Sequence, residues 1–468
     1  MKNQIVFIAF PDVKLISFGY PLGLAYISSV LKKNGYDVNV FDYSICRYNS
    51  DRFINDIKKI NPEFIGFTVY TYSYRAIKTM ISLLRRELPR TKIIIGGPHV
   101  SALPVFSLED LNADFSIIGE AEFIILDLIK RIESGRPSFD DLKGIAFWKD
   151  NKPVLNPGCN LIYNLDELPY PAWELFPPEK YTDIGGQVFF KDRPIGAVIT
   201  SRGCPHHCSF CASHVIHGRN FRRRSPKKVV DEIEILIKHY GIKEMVFYDD
   251  TFSELPDHAL GICEEIIKRK LHISWRTEVG LRLDTLDEKL IKTFKASGCY
   301  LLGFGIESIN NQVLAMAKKP LLKSCITDKI QMIKKYGIET LGYFMMGLPG
   351  DTEISIRETI SFAKHSLLDF MVFHPTCPLP GSEIFNQRYA KSDLRMINWD
   401  NFNYFTRSPF EISEVPASKV KRFCSFGFLL CYSKPSRILK IIINFLYLRK
   451  TKITKIAKSL YYLIINLL

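Results

Sequence analysis

The sequence predicts an α/β chain in four parts: a doubly wound N-terminal domain over 1–140, a linker over 141–190, a partial (β/α)6 barrel over 191–397 and a helical, basic and apolar C-terminal region over 398–468. Three observations predict it. Short β-branched runs alternate twice over with stretches of three-to-four apolar spacing, a proline-rich interval separates the two alternations, and the last fifty residues change both charge and periodicity. At 468 residues, 47% hydrophobic and 24% charged, the chain has core enough for two or three domains. That excludes a single small module, a disordered chain and a disulfide-stapled miniprotein.

In the first alternation the expected strands are QIVFIAF, DVNVFD, FIGFTVY, KIIIGG and DFSIIG, with an intervening helix marked by Leu22, Tyr26, Ile27, Val30 and Leu31. Five parallel strands wound this way place ligands at their carboxyl ends. From 141 to 190 the periodicity fails, and Pro153, Pro157, Pro169, Pro171, Pro177 and Pro178 punctuate a linker that ends near Gly185 and Gly186. The second alternation offers AVIT, MVFYDD, ISWRTE, YLLGFGIE, ETLGYFMMG and FMVFHP, with helices opening near Pro226, Pro256, Asp287, Ser324 and Thr352. Right-handed strand–helix units of this kind close partway into a barrel whose active site lies above the strand carboxyl ends.

The formal charge of +14 is concentrated at the end of the chain. Eleven Lys or Arg and no Asp or Glu lie between Lys419 and Leu468, which leaves +3 for the first 418 residues. A nucleic-acid-binding face through the whole molecule is therefore not expected. The apolar clusters FGFLLCY, IIINFLYL and LYYLIINLL, broken by lysines, suit a helix lying in a membrane interface and attracted by anionic lipid, or a helical cap over the barrel with lysines snorkelling outward. Neither a secretion signal nor a spanning helix is read, so the expected location is cytoplasmic, with peripheral association at the inner membrane face as the tail's contribution.

Eight of the eleven cysteines are scattered singly and read as reduced thiols. The other three, Cys204, Cys208 and Cys211, follow the first barrel strand in AVITSRGCPHHCSFCASH. Three thiolates at gaps of three and two residues can wrap one face of an iron–sulfur cluster and leave one iron without a protein ligand, an open position of the kind metal catalysis uses. The alternative is zinc, completed by His214 and His217. It would make the chain a noncatalytic, zinc-containing nucleic-acid-binding protein. His206 and His207 read as solvent-facing, and the run Arg222, Arg223, Arg224, Lys227, Lys228 as a solvated loop before the Pro226 helix.

CPHHCSFC resembles the CxxxCxxC loop of the radical S-adenosylmethionine enzymes, and the resemblance covers about residues 190 to 385. It implies that Cys204, Cys208 and Cys211 hold a 4Fe-4S cluster, that S-adenosylmethionine chelates the open iron, and that one-electron reduction yields a 5′-deoxyadenosyl radical. It further implies that Phe210 lies near the adenine. Asp249 and Asp250 end the second barrel strand where the family binds polar groups of S-adenosylmethionine, unless they are a helix cap pair. Glu307 ends the fourth strand and would meet the ligand's amino or ribose groups. In MMGLPGDT, Gly347, Pro349 and Gly350 would approach the adenine ring or make a turn before the helix opened by Asp351. Arg282 is a ligand contact or half of a surface ion pair.

The order of domains resembles the cobalamin-dependent group within that family, with PLGLAYISSVLKKNGYDV, GGPHVSALP and IIGEAE as the matching segments. Gly96 and Gly97 would let a flat macrocycle approach the backbone. DxHxxG is absent, so the resemblance implies a corrinoid whose lower face is capped by nonligating side chains, with His99 a loop histidine at the corrin edge or in solvent. A domain holding no cofactor is the competing reading. A nucleotide site is disfavoured because GxGxxG does not follow the first strand. RNA methylthiolating relatives are disfavoured because Cys46 is the one cysteine in the first 150 residues.

The expected activity is methylation of an unactivated carbon by the radical with a corrinoid methyl donor; oxidative cyclisation or rearrangement without methyl transfer is the runner-up. The expected partners are a small-molecule substrate, lipid or other hydrophobic molecules among them, and an electron donor such as flavodoxin or ferredoxin.

Overall fold

The computed structural model describes residues 4–9, 19–135, 138–159, 161–181, 190–277, 281–319, 321–403 and 408–439. Strands β1 (Gln4–Ala9), β2 (Asp37–Asp42), β3 (Phe64–Thr68), β4 (Lys92–Gly96) and β5 (Phe115–Ile117) are parallel in the order β2-β1-β3-β4-β5. Their sequences read as unbroken apolar runs because helices cover both faces, and Ile5–Ile8 and Ile93–Ile95 are buried throughout. Helix Leu22–Lys33 serves two neighbours. Leu24, Ala25 and Leu31 enter the N-terminal core, while Tyr26 and Val30 pack on Ile162, Leu165 and Leu168 of the following segment.

Two stretches expected elsewhere belong to this domain. β6 (Ile145–Lys149) and β7 (Lys152–Asn156), read in the sequence as the start of the linker, extend the sheet as an antiparallel hairpin. Asp150 and Asn151, at φ 50° and 58°, make the tight turn, and Pro153 sits on the edge strand, where its missing N–H is tolerated. Trp399 and Phe402, on the C-terminal side of the expected barrel, also pack into the N-terminal core. The linker itself is pinned: Trp173 enters the barrel core, and Phe176 and Tyr181 enter the N-terminal one. Gly185 and Gly186 lie outside the described residues.

The second sheet holds β8 (Ile195–Val198), β11 (Glu244–Phe247), β12 (Ser274–Thr277), β13 (Cys299–Glu307), β14 (Glu339–Met346) and β15 (Phe370–Pro375). All its pairings are parallel, in the order β15-β14-β13-β12-β11-β8, the open six-stranded barrel expected. A short antiparallel ribbon, β9 (Ser201–Arg202) with β10 (Arg222–Arg223), closes the base of the intervening cysteine loop. The helix starts follow local rules. Ser225 accepts from the Lys228 N–H ahead of Pro226, and Thr352 and Ser355 cap one another.

The described part of the C-terminal region is a barrel cover. Val420, Phe423, Cys424, Cys431 and Tyr432 of helix Ala417–Tyr432 join the barrel core. The buried Arg437 guanidinium donates to the carbonyls of Ala363, Lys364, Ser366, Leu368 and Cys431 at 3.1–3.3 Å. Among the described residues no helix is long and apolar enough to cross a membrane. The clusters IIINFLYL and LYYLIINLL lie outside them.

Candidate active site at the carboxyl ends of two parallel sheets

The carboxyl ends of the two sheets face one cavity of about 950 Å³, lined from both domains. On the barrel side its wall begins with the end of the cysteine loop, Phe210, Cys211, Ala212 and Ser213, while Cys204 and Cys208 lie off it. Gly203, at φ 89°, opens the loop, and a Cβ there would stand 2.3 Å from the Asn220 carbonyl oxygen, so no side chain fits. The loop is pinned by Ser209 N–H donating to Ala317 O (3.0 Å) and Ser209 O accepting from Ile384 N–H (3.1 Å). Cys204, Cys208 and Cys211 are free and partly buried. The Cys211 thiol lies 3.3 Å from Ser213 Oγ, and Ser213 N–H reaches Cys211 Sγ at 3.5 Å.

Burial pushes the Cys204 thiol up to about 11 and the Cys208 thiol upward, and the neighbouring Cys211 adds to both. A cubane takes one thiolate per iron and suits thiols spread along a loop. Three thiols on one loop thus fit an iron–sulfur cluster. His217 is held at Nδ1 by Glu120, 2.9 Å away. His206 is also engaged, 2.9 Å from Glu254.

Asp249 and Asp250 part company. Asp249 is buried and accepts from Thr200 N–H (3.1 Å), Thr200 Oγ1 (2.8 Å) and Ser201 Oγ (2.5 Å), tying β11 to the entrance of the cysteine loop. Burial raises its carboxyl to about 6 against those bonds. It is not on the cavity wall, whereas Asp250 is. Burial also raises the Asp250 carboxyl, opposed by His217.

Glu307 lines the cavity from the end of β13 with a left-handed backbone, φ 64°, where the β13–β14 register slips, and it pairs with Lys319 at 2.7 Å. Phe210 lines the cavity and packs on Val313, Ala317 and Leu348.

Gly347, Pro349 and Gly350 form the turn before Asp351, one of the two readings of MMGLPGDT. They lie off the cavity wall. A Cβ on Gly347 would meet Val420 Cγ2 at 2.9 Å, and one on Gly350 would meet Met316 Sδ at 2.5 Å. The Gly347 and Leu348 N–H groups both donate to Asp351 Oδ2 at 3.0 Å, so the loop is a turn locked by its own aspartate beneath the C-terminal helix. Arg282 is the ion-pair alternative, bonded to Asp284 at 2.5 and 3.0 Å.

On the N-terminal side Gly96 and Gly97 line the cavity. Gly97 has φ 94°, and a Cβ would lie 3.0 Å from Thr68 Cγ2 and from Val69 N. Beside them Tyr70 and Tyr72, on the loop after β3, stack at 5.3 Å and 10° and also line the cavity. Two glycines and a flat aromatic pair at adjacent strand ends fit a broad planar ring.

His99 is neither in a loop nor at the cavity. It is fully buried in helix Pro98–Ala102, 3.1 Å from Thr71 Oγ1, between Tyr74 and Trp399 at centroid distances of 4.4 and 4.7 Å. Burial draws its imidazole down to about 3, so it stays neutral.

The sequence reading missed a charged knot. Glu120, one residue past the Gly119 turn, accepts from Arg222 through both guanidinium nitrogens (2.7 and 2.8 Å), from Ile162 N–H (2.7 Å) and from His217. Arg202 pairs with Glu122 at 2.5 Å. Burial alone would raise the Glu120 carboxyl, but the bonds from His217 and Arg222 and the charge of Arg202 hold it at about 2. The run read as a solvated loop is thus partly interior. Arg222 and Arg224 are 5% exposed, and Arg224 pairs with Glu232 at 2.6 Å. Little in the sequence signalled it, because the acidic residues that follow the arginine run offer it local partners, and Arg224 takes one of them, Glu232.

Residues 198–363 match the family described as the radical SAM superfamily, and residues 13–129 the B12 binding domain. An uncharacterized methyltransferase of Pyrococcus horikoshii is 32% identical over 91% of this chain and 90% of its own length. Cytidylyl-2-hydroxyethylphosphonate methyltransferase of Streptomyces wedmorensis is 29% identical over 79% of this chain and 77% of its own. Among solved structures, the radical S-adenosylmethionine methyltransferase TsrM of Kitasatospora setae, with cobalamin and a [4Fe-4S] cluster bound, superposes with a TM-score of 0.69 at 20% identity, covering 83% of this chain and 75% of that one.

Proposed function

This chain belongs to the cobalamin-binding radical S-adenosylmethionine enzymes, and from that premise we propose that it methylates an unactivated carbon of a small molecule. One observation carries the reading: Cys211 of the cysteine loop, Asp250, Glu307 and the Gly96–Gly97 turn, drawn from two domains, line a single cavity. The methyltransferase relatives support methylation over ring formation.

Cys204, Cys208 and Cys211 would hold the cluster, Phe210, Asp250 and Glu307 would contact S-adenosylmethionine, and Gly96, Gly97, Tyr70 and Tyr72 would face the corrin. When bound, these groups supply a 5′-deoxyadenosyl radical and a transferable methyl group. The chain's own part is positional. Asp249 fixes the loop entrance through Thr200 and Ser201, and Lys319 pairs with Glu307 at 2.7 Å beside the cavity and holds its carboxylate in place.

The test adds S-adenosylmethionine and dithionite to anaerobically reconstituted protein. 5′-Deoxyadenosine forms, and a Cys208→Ala variant forms none. S-adenosylhomocysteine appearing alongside it marks methyl transfer, and its absence marks cyclisation or rearrangement.

The basic, acid-free tail supports a further element of the proposal, association with anionic membrane surfaces and a hydrophobic substrate. Phe426, Leu429, Ile438 and Leu439, exposed on the segment leading into that tail, are consistent with it. Sedimentation with phosphatidylserine vesicles, lost when residues 440–468 are removed, checks it.

A further inference from the structure

Three parts of the chain meet at the Glu120 carboxylate. It stands at the end of the N-terminal sheet, its Oε2 takes the N–H of Ile162 in the linker, and its remaining partners, His217 and Arg222, come from the segment that follows the cysteine loop. Arg222 is committed equally fully, because besides both Glu120 oxygens it donates to the carbonyls of Ile162 and His217 at 2.7 Å. The Glu120 side chain is buried, and although the residue stands in the cavity wall beside Gly119, Glu122, Arg202 and His217, both its carboxylate oxygens are committed to protein partners.

The path from Glu120 to the cluster loop is short and continuous. Cys211 is hooked to Ser213, Ser213 starts the single helical turn His214–His217, and His217 ends that turn on Glu120. On the other side the chain leaves Glu120 through Gly119, whose φ of 75° leaves room for neither a Cβ against Cys159 Sγ (2.1 Å) nor one against the Ile216 carbonyl (3.2 Å). Gly119 N–H is itself held by Ser101 Oγ at 2.9 Å, on the helix that begins beyond Gly97. Within the knot Glu120 and Glu122 face Arg202 and Arg222, carboxylate against guanidinium. Bidentate guanidinium–carboxylate pairing adds directionality to those contacts.

We propose that Glu120 is a positioning residue that fixes the cluster loop against the corrinoid-facing wall of the N-terminal domain, acting through Arg222 and His217. The inference rests on the reading that this wall receives a corrinoid. It assigns the alignment of two cofactor sites to an interior ion pair between domains. Loss of the carboxylate lets segment 211–222 move relative to the Gly96–Gly97 turn while each domain keeps its own core.

The experiment compares wild type with Glu120→Gln, and with Arg222→Lys in case the first variant fails to fold, all as full-length, anaerobically reconstituted protein. Iron, sulfide and hydroxocobalamin content stay within about twofold of wild type, while amide exchange in peptides covering 211–222 rises by about tenfold or more with the rest of the barrel unchanged. In the doubly loaded, reduced protein the dipolar distance distribution between the cluster and cob(II)alamin is narrow in wild type and broad in the variant. Unchanged exchange in 211–222, exchange that rises uniformly through the chain, or an equally narrow distance distribution overturns the proposal. If wild-type protein takes up no hydroxocobalamin, the corrinoid reading fails. The exchange pattern then still decides whether Glu120 clamps the two domains.

Discussion

Glu307 Oε1 and Lys319 Nζ lie 2.7 Å apart over Gly305, on which a Cβ would stand 2.5 Å from that oxygen and 2.6 Å from that nitrogen. The pair is nearly enclosed, with side-chain exposures of 9% and 13%, and it occupies the one left-handed residue of β13. A carboxylate in a sparsely populated backbone conformation at a strand's carboxyl end, neutralised by a single lysine, is poised to take a second cationic or hydroxyl partner from the cavity. Glu307→Gln is expected to weaken S-adenosylmethionine binding about tenfold, since a charge-assisted bond contributes about 1.5–3 kcal/mol, with iron and sulfide content unchanged. Equilibrium dialysis against the reconstituted protein checks it.

Gly97 is the backbone position least able to change. Gly97→Ala brings a Cβ to 3.0 Å from both Thr68 and Val69 and forces φ 94° on a residue with a side chain. The expected cost is about 1–3 kcal/mol of stability, accompanied by weaker hydroxocobalamin uptake. Chemical denaturation and a visible-absorbance titration on the same preparations separate the two effects.

His99 supplies a pH signature. Its folded value, about 3, lies below the unfolded value of about 6.5, so between those limits the unfolded chain binds the extra proton and stability falls as pH falls. Replacing it with Phe removes that contribution. The difference in unfolding free energy between wild type and His99→Phe should therefore shift by up to about 1.4 kcal/mol per pH unit below pH 6, in favour of the variant at acid pH. Paired denaturant titrations at pH 5 and pH 8 test the slope. A difference independent of pH refutes it.

Arg437 closes the carboxyl end of helix Glu353–His365 by donating to the carbonyls of Ala363, Lys364 and Ser366, and its further bonds to Leu368 and Cys431 tie the C-terminal helix to the barrel. Arg437→Met leaves those acceptors to water or unpaired and is expected to cost about 2–4 kcal/mol. Amide exchange in peptides covering 417–439 should rise well before the barrel strands respond.

Much of the fold was legible because its signals are local. Buried parallel strands announce themselves as unbroken apolar runs, and CPHHCSFC carries its ligand spacing within eight residues. What was not legible depends on residues distant in the chain. Nothing near His99 in the sequence shows that Trp399 closes over it, and the GGPHV loop became a short helix with its histidine turned inward. In MMGLPGDT the sequence offers both an adenine approach and a turn before Asp351; the bonds from the Gly347 and Leu348 N–H groups to Asp351 and the packing of Val420 over Gly347 show the turn, and Val420 comes from a helix about seventy residues on. The Arg222–Arg224 run looked solvated because acidic residues follow it, yet Arg222 is neutralised by Glu120, about a hundred residues earlier. Only the hairpin at 145–156 carried an overlooked local signal, the Asp-Asn turn between alternating strands.

The direct test of a three-thiolate cluster with one iron open to a sulfonium ligand is the EPR spectrum of the anaerobically reconstituted, dithionite-reduced protein with and without S-adenosylmethionine, alongside its iron and sulfide content. About four irons and four sulfides per chain and a reduced-cluster signal whose g values shift when S-adenosylmethionine is added are expected. Stoichiometric zinc, or a cluster signal indifferent to S-adenosylmethionine, would contradict it.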